Sequence, residues 1–205
     1  MSIKLPKLIV ILGFTGSGKS DLGVKLAKKF KGEIISADSR QVYEGLDIGA
    51  AKITKKDMQG VPHHLLSVVS PKRRYSVVSY QKAVKRAILA IVRRNHTPIL
   101  VGGSPQYVYA VVDGWIMPKV APNRKLRAGL EKLSIEELFL KLKKLDPTRA
   151  KTIEQKNKRR LIRALEIIHS TGKPVPALQK STLPYPALLL GVERTKEEIK
   201  KRIRK

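Results

Sequence analysis

The amino-acid sequence predicts an α/β fold in which a parallel sheet is flanked by helices. Strand-like apolar runs alternate along the chain with segments of helical periodicity, and this alternation is typical of parallel strands joined by crossover helices. A glycine-rich loop stands directly after the first strand and directly before the first helix, which is the setting of a phosphate-binding loop. The length of 205 residues suits one such domain with a small insertion.

The individual elements follow from the apolar patterning. Short apolar runs predict strands at residues 8–12, 33–37, 98–101 and 187–192. Helical periodicity is clearest in residues 76–95, where lysines and arginines flank one apolar stripe. Further helices are predicted at residues 20–30, 123–133, 134–145, 158–171 and 196–205.

A helical insertion is predicted at residues 118–150, outside the sheet. Three prolines punctuate this stretch, and Ser134 with Glu137 forms a capping box at the start of a helix. The predicted organisation is therefore an α/β core of residues 1–117 and 151–205, interrupted by the helical insertion.

The charge of the chain is strongly unbalanced. Lys and Arg number 43 and Asp and Glu number 16, so the formal net charge is +27. This surplus favours a polyanionic partner, above all nucleic acid, with an anionic membrane surface as the weaker alternative. The chain has no cysteine, which excludes disulfide frameworks, thiolate metal sites and cysteine nucleophiles. No apolar run approaches the ~18 residues of a membrane span, so we expect a soluble protein.

The glycine-rich loop fits the pattern G-x-x-x-x-G-K-[ST] between a strand and a helix. Glycines let backbone amides converge on phosphate oxygens, and the helix N-terminus adds its partial positive charge. Lys19 can neutralise the outer phosphate, and the hydroxyl of Ser20 can hold Mg²⁺. The sequence therefore predicts a site for a diphosphate or triphosphate. It comprises Gly13, Phe14, Thr15, Gly16, Ser17, Gly18, Lys19 and Ser20.

One of the predicted strands ends in an acid, Asp38. Nucleotide hydrolysis normally also needs an acid at the end of a second strand, but the strand at 98–101 ends in Gly102, Gly103 and Ser104. Asp38 directly follows the strand at 33–37. It can act as a metal-positioning acid of a small-molecule kinase or as a general base beside the phosphate site, or it can simply start a turn.

Five further phrases have an order and spacing that identify a family. Together with the phosphate loop they resemble the tRNA dimethylallyltransferases, also called tRNA isopentenyltransferases, over residues 8–203. The phrases are ISADSRQVY at 35–43, DIGAAK at 47–52, GVPHHL at 60–65, PILVGGS at 98–104 and RLIRALE at 160–166.

The resemblance implies a P-loop NTPase-like fold and a prenyl transfer reaction. In that family the dimethylallyl group of dimethylallyl diphosphate is transferred to N6 of adenosine 37 of tRNA, next to the anticodon, and diphosphate is released. The loop then holds the donor's diphosphate, Mg²⁺ is the cofactor, and Lys19, Asp38 and Ser104 form the catalytic set with Asp38 as base. The segments that match the family's tRNA contacts supply Asp38, Ser39, Arg40, Gln41, Ser104, Arg127, Arg159, Arg160, Leu161, Ile162 and Arg163.

The chain also departs from the family pattern. Phe14 stands where the family commonly has Pro, Ser104 where it usually has Thr, and Pro105 with Gln106 where it has Gly-Leu. Family members generally continue with further helices beyond the point that matches Lys205, so we expect the C-terminal helical part of the family to be missing.

Three alternatives remain open at this point. They are an adenylate isopentenyltransferase, a small-molecule P-loop kinase, and a non-catalytic, truncated tRNA-binding form. A small acceptor does not require a charge of +27, which favours tRNA. We expect a cytoplasmic monomer that does not bind membranes. His63 and His64 are expected to be structural rather than metal ligands, and the four tyrosines at positions 75, 80, 107 and 109 to pack rather than to stack on bases.

Overall fold

The secondary structure is taken from a computed structural model that describes residues 7–183 and 185–203. The strands are β1 (Leu8–Gly13), β2 (Gly32–Ser36), β3 (His63–His64), β4 (Thr97–Gly102), β5 (Trp115–Ile116), β6 (Gln179–Lys180) and β7 (Ala187–Val192). The helices are α1 (Lys19–Lys29), α2 (Lys55–Met58), α3 (Val77–Arg93), α4 (Pro105–Val112), α5 (Arg124–Glu131), α6 (Ile135–Leu145), α7 (Pro147–Thr152), α8 (Lys158–Thr171) and α9 (Lys196–Ile203). The four predicted strands and six predicted helices are confirmed, and the last two residues of the predicted C-terminal helix lie outside the described residues.

The main sheet has five strands in the order β3-β2-β4-β1-β7, and every pair in it is parallel. Strands β1, β2 and β4 follow from their apolar runs, because strands covered by helices on both faces read as nearly continuous hydrophobic segments. Strand β7 is also apolar, but it lies at the edge of the sheet and leaves Leu188 and Leu189 57% and 45% exposed. Parallel strands end at one edge, which brings together the residues that follow β1, β2 and β4. The sheet and helices confirm the predicted P-loop-type α/β class.

Helices cover both faces of this sheet. On one face, α3 and α4 pack against the sheet through a core that includes Val84, Ile88 and Val108. On the other face, Val24 and Ala27 of α1 pack against the sheet. This arrangement explains the single apolar stripe of the helix that the sequence predicts at residues 76–95.

The tyrosines largely pack, as predicted. Tyr80 and Tyr107 are buried and stacked, with ring centroids 4.0 Å apart, and the Tyr80 hydroxyl donates to the carbonyl of Ser36 at 2.9 Å. Tyr75 is half-buried against the same core, whereas Tyr109 is exposed.

The chain divides into two compact units, an α/β unit of residues 1–115 and 180–205 and a helical unit of residues 116–179. The helical unit is longer than the predicted insertion of residues 118–150. The reason is that α8 contributes Leu161, Leu165 and other apolar side chains to the helical core, together with Leu138 and Leu142 of α6. The described helical unit therefore extends past residue 150, where the predicted insertion ends, to residue 179.

The helix ends follow the local sequence. Ser134 and Glu137 form the predicted capping box, and α8 ends at Gly172 in the left-handed conformation, with φ 65°. In the part of the chain that the structure describes, no helix is both long enough and apolar enough to cross a bilayer.

Candidate active site

The phosphate loop joins β1 to α1 at the carboxyl edge of the sheet. Gly16 and Gly18 have φ of 80° and 92°, a left-handed conformation that favours glycine. Gly18 is the N-cap of α1, and no side chain caps the helix amides there. These amides are therefore available to an anion, which is what the motif predicts.

The base of the loop is closely packed. A Cβ on Gly13 would lie 2.5 Å from the Ser17 hydroxyl oxygen and 3.0 Å from the carbonyl oxygen of Val192. The Ser17 hydroxyl is fully buried and has no hydrogen-bond partner among the described residues. The loop therefore requires glycine at position 13 and keeps one polar group unsatisfied.

Lys19 lies within the loop. Its Nζ donates to the carbonyl of Phe14 at 3.1 Å, and a Cβ on Gly103 would lie 3.7 Å from Nζ. Burial lowers the pKa of Lys19, and the nearby charge of Asp38 partly opposes this shift. A polyanion in the loop would favour the charged form of Lys19, since opposite charges stabilise each other in a partly buried site.

Asp38 follows β2 at the same edge and is half-buried. Its Oδ1 accepts hydrogen bonds from the backbone amides of Arg40 at 2.8 Å and Gln41 at 3.3 Å. Its Oδ2 makes no hydrogen bond within residues 7–183 and 185–203. One oxygen therefore orients the carboxylate while the other can accept a proton from a substrate.

Ser104 links the end of β4 to the segment that carries Asp38. Its hydroxyl oxygen accepts from the amide of Ser39 at 2.9 Å and lies 3.3 Å from the Ser39 hydroxyl. The backbone approach is equally close, because a Cβ on Gly102 would lie 2.1 Å from the carbonyl oxygen of Ala37. Ser104 and Gly102 therefore fix where the chain runs immediately after β2.

Arg40 and Gln41, which follow Asp38 in the sequence, differ in whether their side chains are bonded within the protein. Arg40 is exposed, and its side chain makes no hydrogen bond to any described residue. The Gln41 amide accepts from the Ser36 hydroxyl at 3.2 Å and donates to the carbonyls of Ala50 and Ala51. Gln41 therefore fixes the loop that contains Ala50 and Ala51, whereas the side chain of Arg40 is available to bind a ligand.

In the helical unit, two of the predicted tRNA-contacting arginines bind a buried acid. Glu166 is 0% exposed and accepts from Arg127 at 2.7 and 2.6 Å, from Arg163 at 2.6 Å and from the amide of Asn123 at 2.7 Å. Burial alone would raise the pKa of Glu166, but these bonds outweigh it and lower the pKa to about 2. The guanidinium groups of Arg127 and Arg163 are thus held against the buried acid, while their side chains keep 25% and 35% exposure.

The remaining residues of the predicted contact segment divide into two groups. Leu161 and Ile162 are 0% and 3% exposed, so their side chains belong to the core and cannot reach a tRNA backbone. Arg159 and Arg160 are exposed on the same helix, and Arg160 pairs only loosely with Glu154 at 3.4 Å. In this segment Arg159 and Arg160 are therefore the fully exposed candidates for tRNA contact, and Arg163 is a partly exposed one.

Sequence reasoning missed Glu166. It is the only acid in α8, three residues after Arg163, and it lies on the buried side of the helix. An acid within an apolar stripe is a signal for a paired interior charge, because burying an unpaired carboxylate is unfavourable.

The candidate metal ligand is the hydroxyl of Ser20 in the phosphate loop. Within the described ranges, no group of three or more His, Asp or Glu side chains could hold a metal ion. Ser20 lines a small cavity with Ser36, Gln41 and His63, among others. One hydroxyl together with substrate phosphate oxygens suits Mg²⁺, which is usually bound through substrate and water rather than by a full protein cage.

The two histidines are structural, as predicted. The Nδ1 of His63 lies 2.8 Å from the carbonyl of Val61, and the Nε2 of His64 lies 2.6 Å from a carboxylate oxygen of Glu33. Glu33 is also bonded by Arg94 and His96, so the acid and the imidazoles of His64 and His96 are held within one ion-pair cluster.

Comparison with known proteins decides the family. A family model described as IPP transferase matches residues 41–205. The chain belongs to the IPP transferase family. The phosphate loop and Asp38 precede the matched residues, but relatives of this family extend the similarity to nearly the whole chain.

One family relative is a tRNA dimethylallyltransferase of Herpetosiphon aurantiacus, 44% identical over 208 residues that cover 99% of this chain and 66% of the relative. The full-length tRNA isopentenylpyrophosphate transferase of Bacillus halodurans is 39% identical, with a TM-score of 0.64 over 96% of this chain and 63% of that structure. A eukaryotic dimethylallyltransferase acting on tRNA is 31% identical, with a TM-score of 0.81 over 97% and 53% of the two chains. This chain therefore spans less than two thirds of the length of the two solved relatives, and 66% of the Herpetosiphon protein.

Proposed function

We propose that the chain is a tRNA dimethylallyltransferase, which moves the dimethylallyl group of dimethylallyl diphosphate to N6 of the adenosine next to the anticodon. The observation that carries the proposal is the placement of Asp38 at the same sheet edge as the phosphate loop, with Oδ1 held by two amides. Membership of the IPP transferase family supports this assignment.

The donor's diphosphate is assigned to residues 13–20. The uncapped amides at the N-terminus of α1 and the ammonium of Lys19 stabilise the charge that builds on the departing diphosphate. The hydroxyl of Ser20 together with diphosphate oxygens would hold Mg²⁺, which supplies further positive charge to the leaving group when bound.

Asp38 is assigned as the general base for the acceptor. The exocyclic nitrogen of adenine is a poor nucleophile because its lone pair is delocalised into the ring. As N6 attacks the first carbon of the dimethylallyl group, the C–O bond to diphosphate breaks and Asp38 takes one proton from N6. Oδ2 suits this step, since Oδ1 is occupied by the amides of Arg40 and Gln41.

The acceptor side is assigned to tRNA. A base inside the anticodon loop has to leave its stack to reach the site, and exposed cations can hold the surrounding phosphates. Arg40 lies two residues after Asp38, and Arg159 with Arg160 are the exposed cations of the α8 segment. Such an enzyme would act in the cytoplasm, and we assign it as a monomer.

The test separates this assignment from its alternatives. The chain is incubated with dimethylallyl diphosphate and Mg²⁺, with either unmodified tRNA or AMP as acceptor, and prenylated adenosine is measured by mass spectrometry. A parallel reaction contains ATP and small hydroxylated acceptors. We expect prenylated adenosine in tRNA only.

Each other outcome contradicts the proposal in a different way. Prenylated AMP without prenylated tRNA identifies an adenylate isopentenyltransferase. ATP consumption with a phosphorylated small acceptor identifies a kinase, for which Asp38 beside the loop is also well placed. Tight tRNA binding without either reaction identifies a non-catalytic RNA-binding protein.

A further inference from the structure

The segment that follows β7 lies against the phosphate loop, within the α/β unit. The Nε of Arg194 donates to the carbonyl of Ser17 at 2.7 Å, although the two residues are 177 positions apart. A Cβ on Gly16 would lie 3.2 Å from Cγ1 of Ile203 and 3.6 Å from the carbonyl oxygen of Ile199. Helix α9 therefore packs directly on the loop.

Two guanidinium groups of this segment converge on one point of the loop. A Cβ on Gly18 would lie 3.5 Å from Nη2 of Arg202 and 3.7 Å from Nη2 of Arg194. Gly18 is also the N-cap of α1. Both cations thus lie at the start of the helix whose amides are available to an anion.

The acids nearby offset these charges only in part. Nη2 of Arg202 pairs with Oδ2 of Asp21 at 2.9 Å, and Nη1 of Arg194 lies 3.5 Å from Oε1 of Glu198. The side chains of both acids are more than half exposed. A guanidinium carries five donors, and most of those on Arg194 and Arg202 have no partner among the described residues.

This arrangement is unfavourable without an anion. The N-terminus of a helix carries a partial positive charge, so cations are disfavoured there and anions are favoured. Two guanidinium groups, Lys19 and the amides of α1 all lie around the loop. The acids in reach are Asp38, which acts on Lys19, and the exposed Asp21 and Glu198 beside the two arginines. A ligand with several negative charges on adjacent phosphates would pair with all of these groups at once.

We propose that Arg194 and Arg202 are diphosphate-binding residues, which hold the anion from the side of Gly18 in addition to Lys19 within the loop. The identification of the anion as the donor's diphosphate rests on the proposed function. Asp21 is then a competing partner, because its pair with Arg202 has to loosen when the diphosphate binds. Arg194 in addition positions the loop through the carbonyl of Ser17.

The experiment measures binding of inorganic diphosphate with Mg²⁺ by calorimetry. Arg194→Ala and Arg202→Ala are compared with the wild type and with Lys201→Ala, which removes the same charge from an exposed position of the same helix. We expect each arginine variant to weaken binding about tenfold or more, because a charge-assisted hydrogen bond is lost, and the control to change it by less than about twofold. Equal affinities of the arginine variants and the wild type would overturn the proposal.

A second variant separates direct binding from a loss of structure. Asp21→Asn removes the competing acid, so diphosphate should bind several-fold more tightly, and this gain should shrink in the double variant Asp21→Asn with Arg202→Ala. An undiminished gain in the double variant would show that Arg202 does not touch the anion. Thermal melts of all variants check that the fold is kept.

The readout does not depend on prenyl transfer. Arginine-dependent binding of diphosphate by a chain that does not modify tRNA would retain this inference and reject the proposed function. If the chain prenylates tRNA but neither arginine variant changes its diphosphate affinity, the proposed function is retained and this inference is rejected.

Discussion

The α/β unit and the helical unit use their basic residues in different ways. At the carboxyl edge of the sheet in the α/β unit, Lys19 lies in the phosphate loop and Arg40 is exposed. Neither is paired with a buried acid. In the helical unit, Arg127 and Arg163 are both bonded to the fully buried Glu166. A basic residue that matches a binding motif can therefore either remain available to a ligand or bond to a buried acid of its own unit. Which of the two occurs depends on whether a buried carboxylate lies within hydrogen-bond distance.

The α/β unit also has a buried acid, but it lies away from the carboxyl edge of the sheet. Glu33 lies near the start of β2, whereas Asp38 follows its end, and Glu33 is bonded by Arg94, His64 and His96. The hydrogen bond from Arg94, helped by those from the histidines and opposed by burial, lowers the pKa of Glu33 to about 2. In this unit the ion-pair cluster of Glu33 lies near the start of β2, and the candidate site residue Asp38 lies beyond the other end of the same strand.

The largest effect is expected from a substitution of Asp38 at the carboxyl edge of the sheet. Asp38→Asn keeps an oxygen that can accept from the amides of Arg40 and Gln41 but removes the proton acceptor, so the rate of prenyl transfer should fall about 10³-fold, or about 4 kcal/mol. Single-turnover transfer to tRNA measures the rate, and a fluorescence titration should show unchanged tRNA binding. The matched control is Glu44→Gln, an exposed acid on the same segment. Transfer by Asp38→Asn at the wild-type rate would remove Asp38 from the role of base.

The next effect concerns the interior of the helical unit. Glu166→Gln leaves two arginines without their carboxylate, and removing one partner of a buried ion pair is strongly destabilising. We expect a loss of about 3 kcal/mol in the free energy of unfolding, the lower end of the usual range, because the side chains of Arg127 and Arg163 keep 25% and 35% exposure. Urea unfolding measures this loss.

The matched control for that variant is Glu154→Gln, which affects an exposed pair with Arg160. It should change the free energy of unfolding by less than about 1 kcal/mol. Similar losses in the two variants would show that Glu166 is not held as the structure describes.

The acid dependence of stability tests both buried acids together. The pKa values of Glu33 and Glu166 fall from 4.5 to about 2 on folding, so each stabilises the fold above pH 4.5 and loses that contribution as the pH falls toward 2. We expect each to contribute on the order of 2 kcal/mol. Melting temperatures between pH 6 and pH 2.5 should decline below about pH 4.5, and the decline should be shallower in Glu33→Gln and in Glu166→Gln. A decline as steep as in the wild type would contradict the lowered pKa.

The smallest effect is expected from the exposed arginines of α8. The double variant Arg159→Ala with Arg160→Ala should weaken tRNA binding modestly and reduce the slope of log affinity against log salt by about two, since each arginine releases counterions from one phosphate. Arg127→Gln serves as the comparison. It also removes a charge, but from a residue bonded to the buried Glu166, so it should lower stability while leaving the salt slope unchanged. The distinction between the arginine bonded to Glu166 and the exposed arginines fails if Arg127→Gln reduces the slope by about one.

The elements that depend on local patterning could be predicted from the sequence. The helix at 158–171 has the predicted bounds, and the phosphate loop lies where its motif places it. Strand β3 was not predicted, because its two residues are His63 and His64, which carry no apolar signal and pair with Ile34 and Ile35 of a distant segment.

What could not be predicted depends on contacts that are remote in sequence. The ion pair between Arg127 and Glu166 spans 39 residues, and the contact of Arg194 with the loop spans 177. Periodicity and motif spacing report what a segment is, whereas these contacts depend on which segments meet. For the same reason, the end of the helical unit at residue 179 had no local marker.

The strand order has a consequence for any reaction at this site. Strands β1 and β2 are not neighbours, because β4 lies between them. The origin of the phosphate loop and the origin of the Asp38 segment are therefore two inter-strand spacings apart, or about 10 Å. Gly102 ends the middle strand and Gly103 follows it. A Cβ on Gly102 would lie 2.1 Å from the carbonyl oxygen of Ala37, and one on Gly103 would lie 3.0 Å from that of Gly13. The backbone of the sheet thus fixes the separation between the phosphate loop and Asp38, whatever side chains the loop and its neighbours carry.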